Sequence, residues 1–571
     1  MSMKTFYGIV LGIAAGVLAG CSENRVVERD VVIYGSSPAA LTAAIEAQAL
    51  GKTAVIVSPE TRIGGLTTGG LGQTDIGNKS AFGGLALQFY RDIATYYKND
   101  ASWKYEKRTD YLPDGQCAGT KGSDSMWTFE PSAALSVLET WEKKHALDIR
   151  RGEWLDRAAG QVKVRGEGER RRIVSFVTES GRVYKGKMFV DATYEGDLMA
   201  AAGVSYTVGR EANGVYGETI SGIEKSLATN HQLEKGIDPY VVKGDPSSGL
   251  LPGIEPYDPN EKDGDGDKRV QAYCFRMCLT DDPSNRIPFE KPAGYDPLNY
   301  ELLLRNLEAI PEERFVTHAK EFWRYMPWIN SRMPNRKTDT NNRTGVSTDF
   351  IGGNWAWPEA SYAKRRAILK AHLDWQKGLM WTLANDPRVP EPIRTEVAKW
   401  GTCRDEFTDG LGNGWQSQLY VREARRLVGD TVMTEHHCRG AQKAARPVAM
   451  GAYGMDSHNV RRYVSADGFV HNEGNIEDYK GLNGNRFPPY GIDYGAIIPK
   501  KGECTNLFVP VCLSASHMAF GSIRMEPVFF ALGQSAGAAA ALSIDANCAV
   551  QDLSYESLRA RLVTDGQVIG L

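Results

Sequence analysis

The stretch DVVIYGSSPAALTAAIEAQALGKTAVIVSPETRIGGLTTGGLGQTD, residues 30–75, predicts how the chain begins to fold. Val31–Tyr34 is a short apolar run with β-branched residues before a glycine, which is typical of a buried parallel strand. Leu41–Leu50 is rich in alanine and predicts a helix that ends at Gly51. Thr53–Val57 predicts a second strand. Together these elements form a βαβ unit of the dinucleotide-binding kind.

The turn between the first strand and the helix is predicted to bind a pyrophosphate. Backbone N–H groups at the start of a helix have no partner within the helix, and the helix dipole favours an anion there. The sequence departs from the G-x-G-x-x-G pattern, because Ser37 and Ala40 replace its second and third glycines. An ordinary tight turn is therefore the alternative. The candidate cofactor-binding residues of the turn are Gly35, Ser36, Ser37, Pro38 and Ala39.

A glycine-rich passage follows the second strand. Glu60 is the candidate for the carboxylate that binds ribose, although Ser58 occupies the place where this acid is expected. Residues 62–72 contain many glycines and no hydrophobic period, which indicates either a surface loop or backbone that passes close to a flat ligand. On the second interpretation, the further candidates for cofactor binding are Arg62, Gly64, Gly65 and Gly70.

Two later motifs each begin with a predicted buried strand. Residues 187–190 predict a buried strand that leads into DATYEGDL, residues 191–198, where the alternative is an ordinary corner between strand and helix. Near the C-terminus, residues 506–513 predict a strand, 514–527 a turn and 528–544 a helix of small residues.

These motifs, with QAYCFR (271–276), YVREARR (420–426) and SHMAFGSIRMEP (516–527), resemble the bacterial FAD-dependent oxidoreductases of the FAD_oxidored family. That family is also called xanthan lyase-like and is distantly related to heterodisulfide reductase. The resemblance covers nearly the whole chain after the leader. It implies an α/β fold, with a two-dinucleotide-binding (glutathione-reductase-like) Rossmann domain for FAD and an inserted α+β substrate domain. It also implies that the DATYEGDL motif and the C-terminal helix return to the cofactor, where the candidate residues are Asp191, Glu195, Asp197, Met525, Glu526 and Gly533.

The change in composition along the chain predicts the domain boundaries. Residues 30–209 and 491–571 are expected to form the two parts of the FAD domain. Residues 210–490 are richer in proline and tryptophan and are expected to form the substrate domain. The whole chain has 571 residues, is 42% hydrophobic and has a formal net charge of −3, so nothing favours nucleic-acid binding.

The substrate domain offers four candidate contacts. Arg276 ends a predicted strand over 271–276, and Arg422 lies on a predicted helix over 419–426, one turn from Arg426. Asn354 and Trp355 lie in an irregular loop of amide, hydroxyl and aromatic residues, a mixture that suits carbohydrates. Ordinary ion pairs and core tryptophans are the alternatives. The acidic run at 263–267 lacks the EF-hand spacing, so we assign no metal site.

The resemblance implies redox chemistry carried by FAD. The predicted reaction oxidises a hydroxyl of a carbohydrate-like small molecule or oligosaccharide by hydride transfer to flavin N5, and the electron acceptor is unknown. His517 is the candidate base, Arg524 the candidate for stabilising charge, and Glu195 the further catalytic candidate. The alternatives are a polysaccharide lyase with an accessory flavin and a non-catalytic carbohydrate-binding lipoprotein.

The N-terminus predicts export. Lys4 precedes an apolar run over residues 6–18, which is short for a membrane span. LAGC at residues 18–21 matches a bacterial lipobox, so residues 1–20 are the predicted signal peptide and Cys21 the predicted lipidated N-terminus of a tether over 21–29. A plain secretory signal or a short anchor is the alternative. We expect a lipoprotein of the periplasm or outer membrane that contacts the membrane only through its lipid.

Eight further cysteines follow Cys21. An even number permits disulfides in an exported protein, although their pairing cannot be deduced from the sequence. The spacing of the cysteines does not match an iron–sulfur motif.

Overall fold

The computed structural model describes residues 25–113, 123–311, 313–316, 326–481, 484 and 487–571. The predicted signal peptide and Cys21 lie outside the described residues, as does Cys117. Lipidation therefore stays a prediction.

A seven-stranded, mainly parallel sheet organises the fold. Its central strand, Val26–Tyr34, pairs in parallel with Ala54–Ser58 on one side and with Val183–Asp191 on the other. Ile149–Arg151 extends the sheet beyond Ala54–Ser58, and Leu507–Phe508 lies beside the last residues of Val183–Asp191. The predicted βαβ unit is confirmed, with its helix at Pro38–Ala49.

Burial on both faces of this sheet explains the apolar run Val31–Tyr34, which forms the second half of the central strand. Val31 and Ile33 belong to one buried cluster, whereas Val32 and Tyr34 belong to a second cluster on the opposite face. A strand covered on both sides has no solvent-facing position for a polar residue. An antiparallel pair, Val162–Arg165 and Arg172–Val177, completes the sheet against the start of Val183–Asp191.

The long alanine-rich helix Glu526–Asp545 packs on the helix Pro38–Ala49. A Cβ atom at Gly533 would lie 2.3 Å from the carbonyl oxygen of Ala39, so glycine is needed there for the two helices to approach. The structure thus gives Gly533 a packing role. Among the described residues, Glu526–Asp545 alone has the length and apolar composition of a membrane span, and 89% of its most apolar window is buried inside the protein.

A second sheet lies in the segment predicted to be the substrate domain. Its five strands are antiparallel, in the order Arg286–Ile287, Gly401–Cys403, Met277–Thr280, Lys337–Asn342 and Trp328–Met333. The prediction of a strand over 271–276 is wrong, because the regular strand starts at Met277. The preceding backbone is bound by side chains instead: Gln376 donates to the carbonyl oxygen of Phe275 and accepts from its N–H.

Two C-terminal predictions also need correction. Residues 421–425 are irregular rather than helical, and Tyr420 forms a β-bridge with Cys274. Arg422 and Arg426 therefore do not share a helix face. Both are fully buried, and Arg422 pairs with Asp349 whereas Arg426 pairs with Glu423. The predicted turn over 514–527 contains a short helix, His517–Ile523, which Ser516 caps.

The remaining helices and strands connect these layers. The other described helices are Gly65–Thr68, Gly84–Tyr96, Pro131–Lys144, Asp197–Ala201, Asn213–Tyr216, Leu298–Glu308, Glu313–Val316, Tyr362–Asn385, Glu391–Val397, Glu435–Cys438 and Tyr555–Thr564. The other described strands are Tyr206–Thr207, Ile254–Glu255, Arg426–Leu427, Pro447–Gly451, Met455–Ser457, Arg461–Val464, Val470–Glu473, Ile476–Asp478 and Tyr490–Asp493.

Candidate functional site

A cavity of about 250 Å³ opens where the central strand and its neighbour Val183–Asp191 end. Ligands of open α/β sheets bind in this position, outside the carboxyl ends of the strands. The cavity gathers predicted cofactor residues from three separate motifs, and those that line it are Gly35, Ser36, Ser37, Glu60, Glu195 and Asp197.

The turn at Gly35 is shaped to leave backbone donors facing this cavity. Gly35 has φ +124°, and a Cβ there would lie 2.5 Å from the carbonyl carbon and oxygen of Ala192. Ser37 occupies the N-cap position, but its hydroxyl donates to the carbonyl oxygen of Ala192 at 2.7 Å rather than capping the helix. Pro38 and Ala39 then begin the helix. An uncapped helix N-terminus at a cavity fits a pyrophosphate.

Two neighbouring carboxyl groups line the cavity. Burial raises the pKa of Glu60 to about 7, and the nearby Glu195 adds to the shift. Burial also raises the pKa of Glu195, which accepts a hydrogen bond from the indole N–H of Trp357 at 3.3 Å. The position of Glu60 beyond the second strand is compatible with binding ribose hydroxyls.

Asp197 lines the cavity, whereas Asp191 stabilises a loop that lines it. Burial opposes the ionisation of Asp197, but ion pairs with Arg365, Arg157 and Arg425 outweigh it and lower its pKa to about 2. Asp191 does not belong to the described lining. Its carboxylate accepts from the N–H and hydroxyl of Thr193 and from the N–H of Met199, so it shapes the loop that lines the cavity.

The glycines of residues 62–72 are required by contacts with other parts of the protein. A Cβ at Gly64 would lie 2.4 Å from the Leu138 side chain, and one at Gly65 would lie 2.3 Å from the Tyr194 hydroxyl. A Cβ at Gly70 would lie 2.2 Å from the carbonyl oxygen of Arg276. Arg62 donates to the carbonyl oxygen of Thr68 at 2.9 Å and to Asp409 at 2.8 Å.

Glu526 joins the glycine-rich passage to the long helix. Its carboxylate accepts from the N–H and hydroxyl of Thr67, at 3.0 and 2.6 Å, and from the hydroxyl of Tyr194 at 3.0 Å. Burial raises its pKa to about 7 despite these hydrogen bonds. Met525 precedes the helix as its N-cap residue. This helix N-terminus therefore lies beside a second, smaller cavity, which Thr67, Met525 and Glu526 help to line.

The small cavity, of about 10 Å³, brings the predicted Arg524 together with two polar residues that the sequence analysis missed. Asp75 and Tyr420 line it with Arg524, whose guanidinium donates to the Tyr420 hydroxyl at 2.7 Å and to Asp456 at 2.9 Å. Burial raises the pKa of Asp75, with Asp456 adding to the shift and Arg276 opposing it. Asp75 could have been found from the sequence, because it is an acid three residues after the glycine-rich residues 62–72. Tyr420 lies within a motif that we interpreted as helical.

His517 lies inside the protein rather than at a cavity. Its Nδ1 is 2.7 Å from Glu423 Oε2, and its Nε2 is 3.0 Å from Ser457 Oγ. The linings of the two cavities, as far as the structure describes them, do not include His517. Both ring nitrogens therefore have protein partners, which favours a structural role over that of a base.

The four predicted substrate residues do not form one site, although the guanidinium groups of Arg276 and Arg422 both lie over the Tyr420 ring, at 5.7 and 4.5 Å from its centroid. Arg276 forms a buried ion pair with Asp339 and stacks at 5.7 Å over the Tyr420 ring, next to the small cavity. Arg422 is buried against Asp349. Asn354 binds the backbone of residues 271 and 273, and Trp355 donates to the carbonyl oxygen of residue 460.

Similar solved structures share less than two thirds of their length with this chain. They include a flavin-containing monooxygenase from Stenotrophomonas maltophilia (19% identity over 32% of this chain and 42% of that chain, TM-score 0.18). THI4 from Thermovibrio ammonificans matches at 18% identity over 32% of this chain and 66% of that chain, with a TM-score of 0.22. The L-amino acid deaminase from Proteus vulgaris matches at 17% identity over 35% of this chain and 54% of that chain, with a TM-score of 0.23.

The sequence itself matches one family across almost its entire length. No curated protein matches it significantly. The profile described as FAD dependent oxidoreductase matches residues 30–562. The chain belongs to this family of FAD-dependent oxidoreductases, and FAD is its cofactor.

Proposed function

We propose that the enzyme oxidises a hydroxyl group of a carbohydrate-like small molecule or oligosaccharide, and that this hydroxyl alone enters the small cavity, whose volume of about 10 Å³ suits a group the size of a water molecule. One observation carries the proposal: two buried polar atoms, Arg524 Nε and Thr74 Oγ1, belong to residues that line this cavity and have no hydrogen-bond partner among the described residues. A buried polar group without a partner is costly, so such atoms favour a ligand that supplies oxygen atoms. A polyhydroxylated substrate does so.

The residues around the cavity suit the removal of a proton from a hydroxyl. Bound FAD would supply the acceptor for a hydride from the carbon that bears this hydroxyl. Asp75 is a partly buried carboxyl whose pKa is raised, which makes it a better base than an exposed aspartate. Arg524, which donates to the Tyr420 hydroxyl, would hold the substrate oxygen together with Tyr420 while the proton moves to Asp75.

The FAD-binding residues follow from the larger cavity. The N-terminus of Pro38–Ala49 would hold the pyrophosphate and Glu60 the ribose. The N-terminus of Glu526–Asp545 would lie at the ring, where its dipole stabilises negative charge. This assignment places residues 30–209 and 491–571 in the FAD domain and residues 210–490 in the substrate domain.

The cellular setting belongs to the same proposal. LAGC at residues 18–21 supports a lipid-anchored protein of the periplasm or outer membrane, which reoxidises its flavin with an electron acceptor of that compartment.

The test is the anaerobic reduction of the purified FAD-loaded enzyme by a panel of neutral sugars, uronic acids and oligosaccharides. A substrate should bleach the visible flavin band, and its product should be lighter by two hydrogen atoms. With that substrate, Asp75→Asn should keep its FAD but be reduced about 10²–10⁴ times more slowly. His517→Ala is the matched comparison and should be reduced at close to the parental rate.

Three outcomes would contradict the proposal. An unsaturated product without bleaching would favour the lyase alternative. A protein without reducible flavin would favour carbohydrate binding alone. Reduction of Asp75→Asn at the parental rate, with slow reduction of His517→Ala, would return the role of base to His517.

A further inference from the structure

We propose that Cys278 and Cys403 form a disulfide bond in the mature protein. The two residues lie in neighbouring antiparallel strands of the second sheet, Met277–Thr280 and Gly401–Cys403. Their sulfur atoms are 3.8 Å apart, which is close to van der Waals contact. The bond would link residues that are 125 positions apart in the sequence.

The pairing register places the two cysteines directly opposite each other. Gly401 pairs with Thr280 and Thr402 with Leu279, so the next step along the ladder brings Cys403 opposite Cys278. Opposed residues of antiparallel strands have Cα atoms about 4.5–5.5 Å apart, within the range that a disulfide spans. Rotation of the side chains can therefore close the bond without moving the strands.

The surroundings of the pair favour a bond that persists once formed. Cys278 and Cys403 are fully buried and form a small cluster with Met333 and Phe407. Burial raises the pKa of the Cys278 thiol, with the neighbouring Cys403 adding to the shift, so little of it is the reactive thiolate. Exchange is consequently slow in the folded protein, and a reductant in solution reaches the sulfur atoms with difficulty.

The oxidant is a low-molecular-weight or protein disulfide, which acts by thiol–disulfide exchange. One cysteine thiolate attacks the oxidant and forms a mixed disulfide, releasing the first thiol of the oxidant. The second cysteine then displaces the other half, so the sulfur–sulfur bond forms within the protein. The two cysteines lose two electrons and two protons, and the oxidant becomes two thiols.

Trypsin can test this pairing, because it cuts between the relevant cysteines. The full chain is unfolded and then refolded in a buffer of oxidised and reduced glutathione, so that both cysteines exchange with glutathione before they are buried. It is then quenched with acid, denatured, alkylated and digested without reductant. Cys278 lies in the peptide 277–286 and Cys403 in the peptide 400–404. We expect one linked species of these two peptides, lighter by two hydrogen atoms than their sum. Cys274, which is also buried, lies in the separate peptide 270–276 and should be alkylated.

A second measurement connects the bond to stability. Reducing it in the parent should lower the midpoint of thermal unfolding by roughly 5 °C, whereas Cys403→Ser should show no such difference between oxidised and reduced samples. Full alkylation of both cysteines at equilibrium would overturn the proposal. Pairing of either cysteine with a different partner would overturn it as well.

Discussion

Gly35→Ala tests whether the turn after the central strand is the cofactor site. The substitution adds one methyl group at a position with φ +124°, where a residue with a side chain is strained. The added Cβ would also lie 2.5 Å from the carbonyl carbon and oxygen of Ala192, another residue that lines the cavity. Backbone atoms cannot rotate away, so the turn or the loop at Ala192 must move.

The cost follows from these two effects. A backbone conformation of this kind costs about 1–3 kcal/mol for a residue other than glycine. Relief of the overlap by a backbone shift costs about 1–3 kcal/mol more. Because both segments line the cavity, we expect at least about 2 kcal/mol to be lost from FAD binding, which corresponds to an affinity roughly 30-fold weaker.

Gly51→Ala is the matched control. Gly51 also has a positive φ, +74°, but nothing lies within 4 Å of its Cβ position. This variant should lose only about 1–2 kcal/mol of stability and bind FAD as the parent does. Flavin content after purification and fluorescence titration of the FAD-free proteins measure both effects. If Gly35→Ala binds FAD as tightly as Gly51→Ala, the pyrophosphate does not lie at this turn.

Two further predictions concern proton binding and export. Burial raises the pKa of Glu526 from 4.5 to about 7. Between these pH values the FAD-free folded protein keeps a proton on Glu526 that the unfolded chain has already released, so protonation of Glu526 stabilises the folded state. This stabilisation is lost as the pH rises through 7. Between pH 4.5 and 8, the free energy of unfolding should therefore fall by about 3 kcal/mol more in the parent than in Glu526→Gln. Urea unfolding measures this difference, and an equal pH dependence in both proteins would refute the prediction. Cys21→Ser should abolish labelling by a fatty-acid analogue, whereas labelling as strong as in the parent would exclude lipidation at Cys21.

The sequence alone predicted the elements whose conformation depends on nearby residues. The run Val31–Tyr34 had to be a strand buried on both faces, because it offers no polar position. The turn at Gly35 was readable because glycine tolerates its φ of +124°. The same local reasoning led to a wrong prediction over residues 420–426. A segment with several charged residues suits an exposed helix, so we predicted one there. There, Arg422 is buried because an acid from another segment, Asp349, pairs with it.

The composition of the small cavity was decided only by the tertiary structure. Asp75, Tyr420 and Arg524 come from a glycine-rich loop, an extended segment and the end of a short helix. None of them is close to another in the sequence, and the raised pKa of Asp75 depends on burial and on charges that folding brings near it. His517 shows the converse: its position in the sequence suggested a base, but folding placed partners at both ring nitrogens. The sequence determines which side chains are available, whereas packing determines which of them lie together at a cavity.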